Sequence, residues 1–458
     1  MDDMIFVGNG LAVLIAAVEQ ARLGKPVTLL ADGRAPGGHF AGMTVDDLHF
    51  DIGMVMLEEH QPQQPCDELA RYDPALRNDW TRFGHLAGRW LRAQTPLRRV
   101  PTPQCRVGGA SWPDYLIANR LDAFAQAGVD GPAPRSIDDP LHAAGKLHGA
   151  TYEQLSYADA ARANHGAALH ARFIEPFVRK LAGVGSDAVL ARQHRAVWAP
   201  LYYPQTLRAA LAGEATSLPE YPFWTTETGC VSQLVRQLAD ELACRPLTTV
   251  VTAPLTRLQA GPRGWTVTAH NGRSWQARRA VLGCAAERAC GLLGLPSPLP
   301  TPAASVSVLM ASVATAAVGQ PTACLVVVDD EFATHRLTSP DVMAGLGPGR
   351  MRVVLEAHPD RLRALHPQLD VTDALVAEMR VLLAIDSTAD VQVHKCLTAK
   401  NALVLPTAQA MAVSQSAAAA VAAAAPGAWL TGNLLGYGVA SLNDQIVQAL
   451  HVTEALAS

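Results

Sequence analysis

Gly8-Asn9-Gly10-Leu11-Ala12-Val13 follows a short apolar run, Met4–Val7, and opens a stretch from Leu11 to Leu23 with apolar residues at helical spacing. Gly24-Lys25-Pro26 then leads into a second apolar run, Val27–Leu30. Strand, glycine turn, helix and strand within about 30 residues is the setting in which a glycine motif binds a pyrophosphate. Gly8 permits the tight turn. Gly10 lets the backbone approach phosphates seated on the helix N-terminus, where Leu11 and Ala12 present the first amides. Two positions depart from this pattern. Val13 occupies the third glycine position, so the helix is expected to stand further from the strand or to tilt. The acid that would bind ribose hydroxyls falls on Ala31, which leaves Asp32, one residue later, as its substitute. A glycine-rich turn that binds nothing is the plain alternative for this motif taken alone.

Two further clusters of small residues follow. Ala35-Pro36-Gly37-Gly38-His39 comes after the second strand, and Phe50-Asp51-Ile52-Gly53-Met54 shortly after it. At the far end lie Trp429-Leu430-Thr431-Gly432-Asn433, Gly436-Tyr437-Gly438-Val439-Ala440 and Ser441-Leu442-Asn443-Asp444. Apolar residues from Leu442 to Ala455 give an amphipathic helix whose Ser441 and Asp444 read as a capping box. These motifs, in this order, resemble those of the flavin amine oxidase and protoporphyrinogen oxidase superfamily. The resemblance covers residues 1–56, 225–290 and 400–458 well and the rest loosely.

The resemblance implies an FAD-binding oxidoreductase. In that family the Gly37-Gly38 pair passes the pyrophosphate and ribityl chain, and the Gly53-Met54 segment runs beside the isoalloxazine. Backbone must come close there, and a Cβ would obstruct it. Gly432 and Asn433 match the closing motif, and Val439, Ala440 and Leu442 become backbone donors toward the flavin at a helix N-terminus. Val250 or Val251, at the end of Pro246–Val251, would hold the adenine through its backbone. Thr226–Gly229 precedes a helix from Val231 to Leu242, Asn271-Gly272 marks a hairpin turn, and Ala280–Ala285 is a strand. His39 stands where relatives carry Arg; its plain alternative is a neutral imidazole that transfers no proton. The FAD is expected to be non-covalent, since no Cys or His tether matches.

The elements that must carry these motifs imply an α/β fold: an FAD-binding Rossmann-like domain, discontinuous over 1–56, 225–300 and 401–458. A substrate domain of helices plus a mixed β-sheet, 57–224 and 301–400, is interleaved with it. Residues 57–224 read as helical, with Arg172–Phe177 the clearest segment and Tyr202 and Tyr203 beside prolines. Ala304–Ser312, Cys324–Val328 and Arg352–Glu356 read as strands, with Thr334–Thr338 as a loop. In that loop Arg336 is a candidate anchor for an anionic substrate, against the alternative of a structural ion pair. Lys395 and Lys400 lie near the end of this layer; Lys400 is the candidate lysine near a flavin, although an ordinary surface lysine fits its position better.

Composition narrows the function classes. At 458 residues the chain exceeds one core. A net charge of −4 and a pI near 6.4 argue against nucleic acid. The eight cysteines form no CxxC pair, and no Cys/His cluster has metal-ligand spacing. Reduced thiols, together with an opening Met1-Asp2-Asp3 that lacks a basic signal region, imply a cytoplasmic protein. Ser414–Ala425 is Ala-rich but shorter than the roughly 20 apolar residues of a membrane span. The expected function is hydride removal from a C–N or C–C bond of a small or medium-sized metabolite, with dioxygen admissible as acceptor. A homodimer is compatible with the sequence, which leaves the oligomeric state open. Two alternatives stand beside it: a non-redox flavin mutase resembling UDP-galactopyranose mutase, and a catalytically silent flavin-binding protein. Against the mutase, Gly53-Met54-Val55-Met56 lacks the histidine that mutases carry there.

Overall fold

A computed structural model of the chain describes residues 2–58, 86–112, 155–165, 167–191, 223–345, 347, 349–435 and 441–457. The first strands are β1 (Asp2–Val7), β2 (Val27–Leu30), β3 (Met43–Val45), β4 (Leu48–Phe50), β5 (Leu57–Glu58), β6 (Leu97–Arg99), β7 (Gln104–Val107) and β8 (Ala110–Trp112). After them come β9 (Phe223–Thr226), β10 (Thr248–Val251), β11 (Leu255–Gly261), β12 (Gly264–Ala269) and β13 (Ser274–Leu282). The last are β14 (Ala303–Ala314), β15 (Cys324–Val327), β16 (Thr334–Thr338), β17 (Arg350–Ala357), β18 (Val391–Val404) and β19 (Trp429–Leu430). The result is a mixed α/β fold built around two seven-stranded sheets.

The first sheet has the order β10-β2-β1-β13-β12-β11, with β19 also on β13. β10, β2, β1, β13 and β19 run parallel, and their registers match Val251 to Leu30, Leu30 to Val7, Val7 to Leu282 and Leu282 to Leu430. Five strands therefore finish at one level, and the segments that follow them, with Gly8, Asp32, Gly283 and Gly432, emerge together. In open parallel sheets that edge is where ligands bind. The helix Leu11–Arg22 is apolar on every side from Leu11 to Val18. Leu11 through Val18 are all buried in the core shared with helices Val231–Cys244 and Leu442–Ala457. Each fully buried leucine or isoleucine contributes about 1.5–3 kcal/mol.

The second sheet has the order β18-β14-β17-β16-β15-β7-β8. Thr334–Thr338, expected as a loop, is the strand β16, paired with both β15 and β17. Its alternation was hidden because Thr334, His335, Leu337 and Thr338 are all buried and three of these are polar. Residues 57–224, expected as helical, also supply β7 and β8 to this sheet and β5, β6 and β9 to a three-stranded one. These strands are two to four residues long, too short for an alternation to register. The π-helical turn His170–Ile174 continues into the helix Glu175–Ala182, which Gly183 ends with φ +71°. Asn271-Gly272 does form the turn between β12 and β13, with the Gly272 N–H donating to the Ala269 carbonyl at 3.0 Å. Among the described residues no helix is long and apolar enough to cross a membrane. The Ala-rich stretch lies in the helix Ala408–Ala424.

Candidate functional site

The glycines of the opening motif differ in what the protein itself demands of them. Gly8 has φ +127°, and a Cβ there would lie 2.8 Å from the Cys284 nitrogen, so backbone shape and close packing both require glycine. Gly10 has φ −66°, which any residue adopts, and its Cβ would meet only the Gly283 oxygen, at 3.4 Å. Nothing in the fold forbids a side chain at Gly10. The space it leaves, above a helix start without a side-chain cap, is a cradle a Cβ would fill. Gly37 bridges to Gly10, and a Cβ on Gly38 would lie 3.4 Å from the Gly10 Cα. The two glycine clusters therefore line one another.

The distant motif arrives at the same place. A Cβ on Gly432 would stand 3.5 Å from the Gly283 oxygen that Gly10 also faces. Gln445, 433 residues from Ala12, accepts its amide N–H at 3.3 Å. Asn433 lies in the short helical turn Gly432–Leu435, and Leu442 is buried at the first turn of the last helix. The capping box forms as read: Ser441 N–H donates to Asp444 at 3.1 Å, and Asp444 N–H to the Ser441 hydroxyl at 3.2 Å. Val439, Ala440, Tyr437, Tyr202 and Tyr203 lie outside the described residues.

Val13 packs against the glycine that follows β13. A Cβ on Gly283, just beyond β13, would come 2.0 Å from Val13 Cγ2, so the strand side carries the missing glycine. Asp32, at φ +40°, is engaged by the protein. Arg288 donates from Nε to Oδ2 at 2.5 Å and from Nη2 to Oδ1 at 2.8 Å, and Leu255 N–H donates to Oδ1 at 2.9 Å. Burial would raise its pKa; Arg288 and Leu255 outweigh that and bring it below the usual carboxylate value. Val250 and Val251 are half-buried on the edge strand β10, and the Val251 carbonyl accepts from Ala31 N–H at 2.8 Å. Asp51 caps a further helix, accepting from Val231 and Ser232 N–H at 2.7 and 2.9 Å.

The structure brings together three residues that the sequence offered separately. A Cβ on Gly53 (φ +90°) would lie 3.5 Å from both Arg336 Nη2 and His39 Nε2. His39 is exposed, yet its ring is closely surrounded by protein. That enclosure pushes its pKa below the usual imidazole value, while Glu356 pulls it up and Arg336 pushes it down. Met54 is buried, with its sulfur 3.3 Å from Cys324 Sγ. Lys400 is not brought in: it lies exposed on the edge strand β18, as does Lys395.

The structure adds residues the sequence did not mark. Glu356 on β17 is buried and accepts from Arg336 Nη2 at 2.5 Å; His335 Nε2 stands 3.7 Å from the same oxygen. Burial alone would raise the Glu356 pKa, but Arg336 and His335 bring it down to about 2. A register shift between Thr334 and Arg336 lets consecutive side chains reach one carboxylate. No sequence signal announces this pair, because 20 residues separate its members. Lys180 is fully buried, donating to the Val327 and Asp329 carbonyls at 2.9 Å each, and burial lowers its pKa to about 7.

No family model matches the chain, and no curated protein matches it in sequence. Solved structures do match. A reduced UDP-galactopyranose mutase superposes with a TM-score of 0.68 at 14% identity, over 100% of this chain and 96% of its own. A candidate protoporphyrinogen oxidase from Exiguobacterium sp. 255-15 gives 0.62 at 17% identity, over 99% and 98%. An oxidoreductase from Methanosarcina mazei gives 0.59 at 10% identity, over 99% and 100%. The chain thus shares one fold with these three proteins along its whole length.

Proposed function

We propose that the chain is an FAD-dependent oxidoreductase that removes a hydride from a C–N or C–C bond of a small or medium-sized metabolite. The observation that carries this reading is the convergence of Gly10 and Gly432 on the Gly283 carbonyl, with Gly38 against Gly10 and a side-chain vacancy at Gly10 that the fold itself does not need. The residues present fit the cofactor. Gly8, Gly10, Leu11, Ala12, Gly37 and Gly38 would hold the phosphates, Val250 and Val251 the adenine, and Gly53, Met54, Gly432, Asn433, Val439, Ala440 and Leu442 the flavin. Asp32 would fix the ribose side indirectly, by holding Arg288 and the start of β11 in place. When bound, the flavin supplies a hydride acceptor. His39, neutral at pH 7, is positioned beside Gly53 to take a proton from a substrate amine or hydroxyl, and Arg336 orients that substrate. The cofactor-binding part is proposed as 1–56, 225–300 and 401–458, and the substrate part as 57–224 and 301–400; dioxygen is the proposed final acceptor. Mixing purified protein with FAD, followed by gel filtration, tests the reading, and protein that elutes folded and colourless refutes it.

A flavin mutase is the second reading, and one observation favours it. The histidine missing from Gly53–Met56 is replaced in space by His39, whose ring reaches Gly53 from the glycine-pair turn.

A further inference from the structure

We propose that Glu356 sets the charge selectivity of the substrate cleft: by neutralising Arg336 against Gly53 it makes the cleft select an uncharged polar group over an anion. The inference rests on the reading of this cleft as the substrate site. Four ionisable side chains surround it. Arg336 carries one positive charge and Glu356 one negative charge at 2.5 Å; His39 and His335 are both held neutral at pH 7 by their enclosure. The Arg336–Glu356 pair sums to zero, so a carboxylate or phosphate entering beside Gly53 meets a guanidinium that is already compensated. It meets instead a buried carboxylate hydrogen-bonded to that guanidinium, which repels it.

Arg336, expected from sequence as an anchor for anions, is thus an anchor whose charge is already answered.

Benzoate and benzamide, alike in shape and different in charge, test this by calorimetry on the full chain, with and without added FAD. Wild type should bind benzoate no more tightly than benzamide. Glu356→Gln should gain roughly tenfold or more in benzoate affinity, the effect of one unanswered charge, while benzamide stays unchanged; Glu356→Asp should match wild type. No gain for benzoate in Glu356→Gln, or a wild type that already prefers benzoate tenfold, overturns the proposal. A second readout needs neither ligand nor flavin: the NMR titration midpoint of His39 should fall in Glu356→Gln and rise in Arg336→Met. A midpoint unmoved in both overturns the electrostatic coupling, whereas loss of FAD uptake with these shifts intact refutes only the flavin reading.

Discussion

Val13 and Gly283 exchange the roles that a dinucleotide fingerprint assigns to helix and strand: the helix carries the side chain and the strand carries the glycine that makes room for it. A Cβ on Gly283 would stand only 2.0 Å from Val13 Cγ2 and 2.9 Å from Thr431 Cγ2, so the valine occupies the space that this glycine leaves.

Gly283→Ala is therefore an overpacking change at the edge of the parallel sheet where β13 ends. It should destabilise by about 1–3 kcal/mol. Val13→Gly combined with Gly283→Ala should recover part of that loss, because the added methyl then occupies the vacated space. Chemical denaturation of the two variants measures this; equal stabilities would show that the helix adjusts instead.

Gly10 supports the opposite expectation. With φ −66° and an outward vacancy, Gly10→Val should fold with near-native stability yet take up no FAD, since its methyl groups would fill the space of the pyrophosphate. Asp32→Ala should instead cost stability, about 1–3 kcal/mol, because Arg288 and the Leu255 amide lose a charge-assisted partner. FAD taken up by the wild type should leave the polypeptide on acid precipitation, the mark of non-covalent binding. Paired thermal melts and flavin absorbance separate the two effects, and Gly10→Val protein that is yellow would place the phosphates elsewhere.

How much of this was legible beforehand depends on what kind of relation each residue enters. Gly8, Gly10 and the capping box Ser441/Asp444 are local, so spacing alone identified them. The hairpin at Asn271-Gly272 was visible for the same reason. Val13 with Gly283 and Arg336 with Glu356 are complementary pairs across strands, and neither member looks unusual until its partner is placed. β16 escaped because buried polar residues erased its alternation. Asp32 was singled out as the substitute for a ribose-binding acid, whereas the partner that holds it, Arg288, lies 256 residues away and gives no sign in its own neighbourhood.

Lys180 gives a pH dependence with a defined sign. Its folded pKa of about 7 lies below the ordinary 10.5, so between these values the unfolded chain binds the additional proton. Stability should then rise as pH goes from about 7 toward 10, and the full penalty remains below 7. The neutral amine has two N–H bonds, which match the two carbonyls of Val327 and Asp329. Denaturation midpoints across this range should rise in wild type and flatten in Lys180→Met, the difference reaching a few kcal/mol. Parallel profiles would mean that Lys180 stays charged.

The choice between dehydrogenation and sugar isomerisation turns on what happens to the flavin over one turnover. An oxidoreductase acting on its substrate without oxygen must leave the flavin reduced, one flavin per substrate oxidised, and the visible band bleaches in proportion. A mutase needs reduction by dithionite or a nicotinamide before it turns over, and it ends with its flavin as it began. His39 beside Gly53 serves both chemistries, so activity of a His39 variant cannot decide between them. The neutral Arg336–Glu356 pair does discriminate, because a sugar nucleotide brings a diphosphate whose charge this pair leaves unanswered. Anaerobic addition of neutral amines or alcohols should therefore bleach the flavin of the wild type. Arg336→Ala should raise the apparent KM for such a donor with the bound flavin spectrally unchanged. Turnover of a sugar nucleotide only after chemical reduction would reject dehydrogenation and establish the mutase reading.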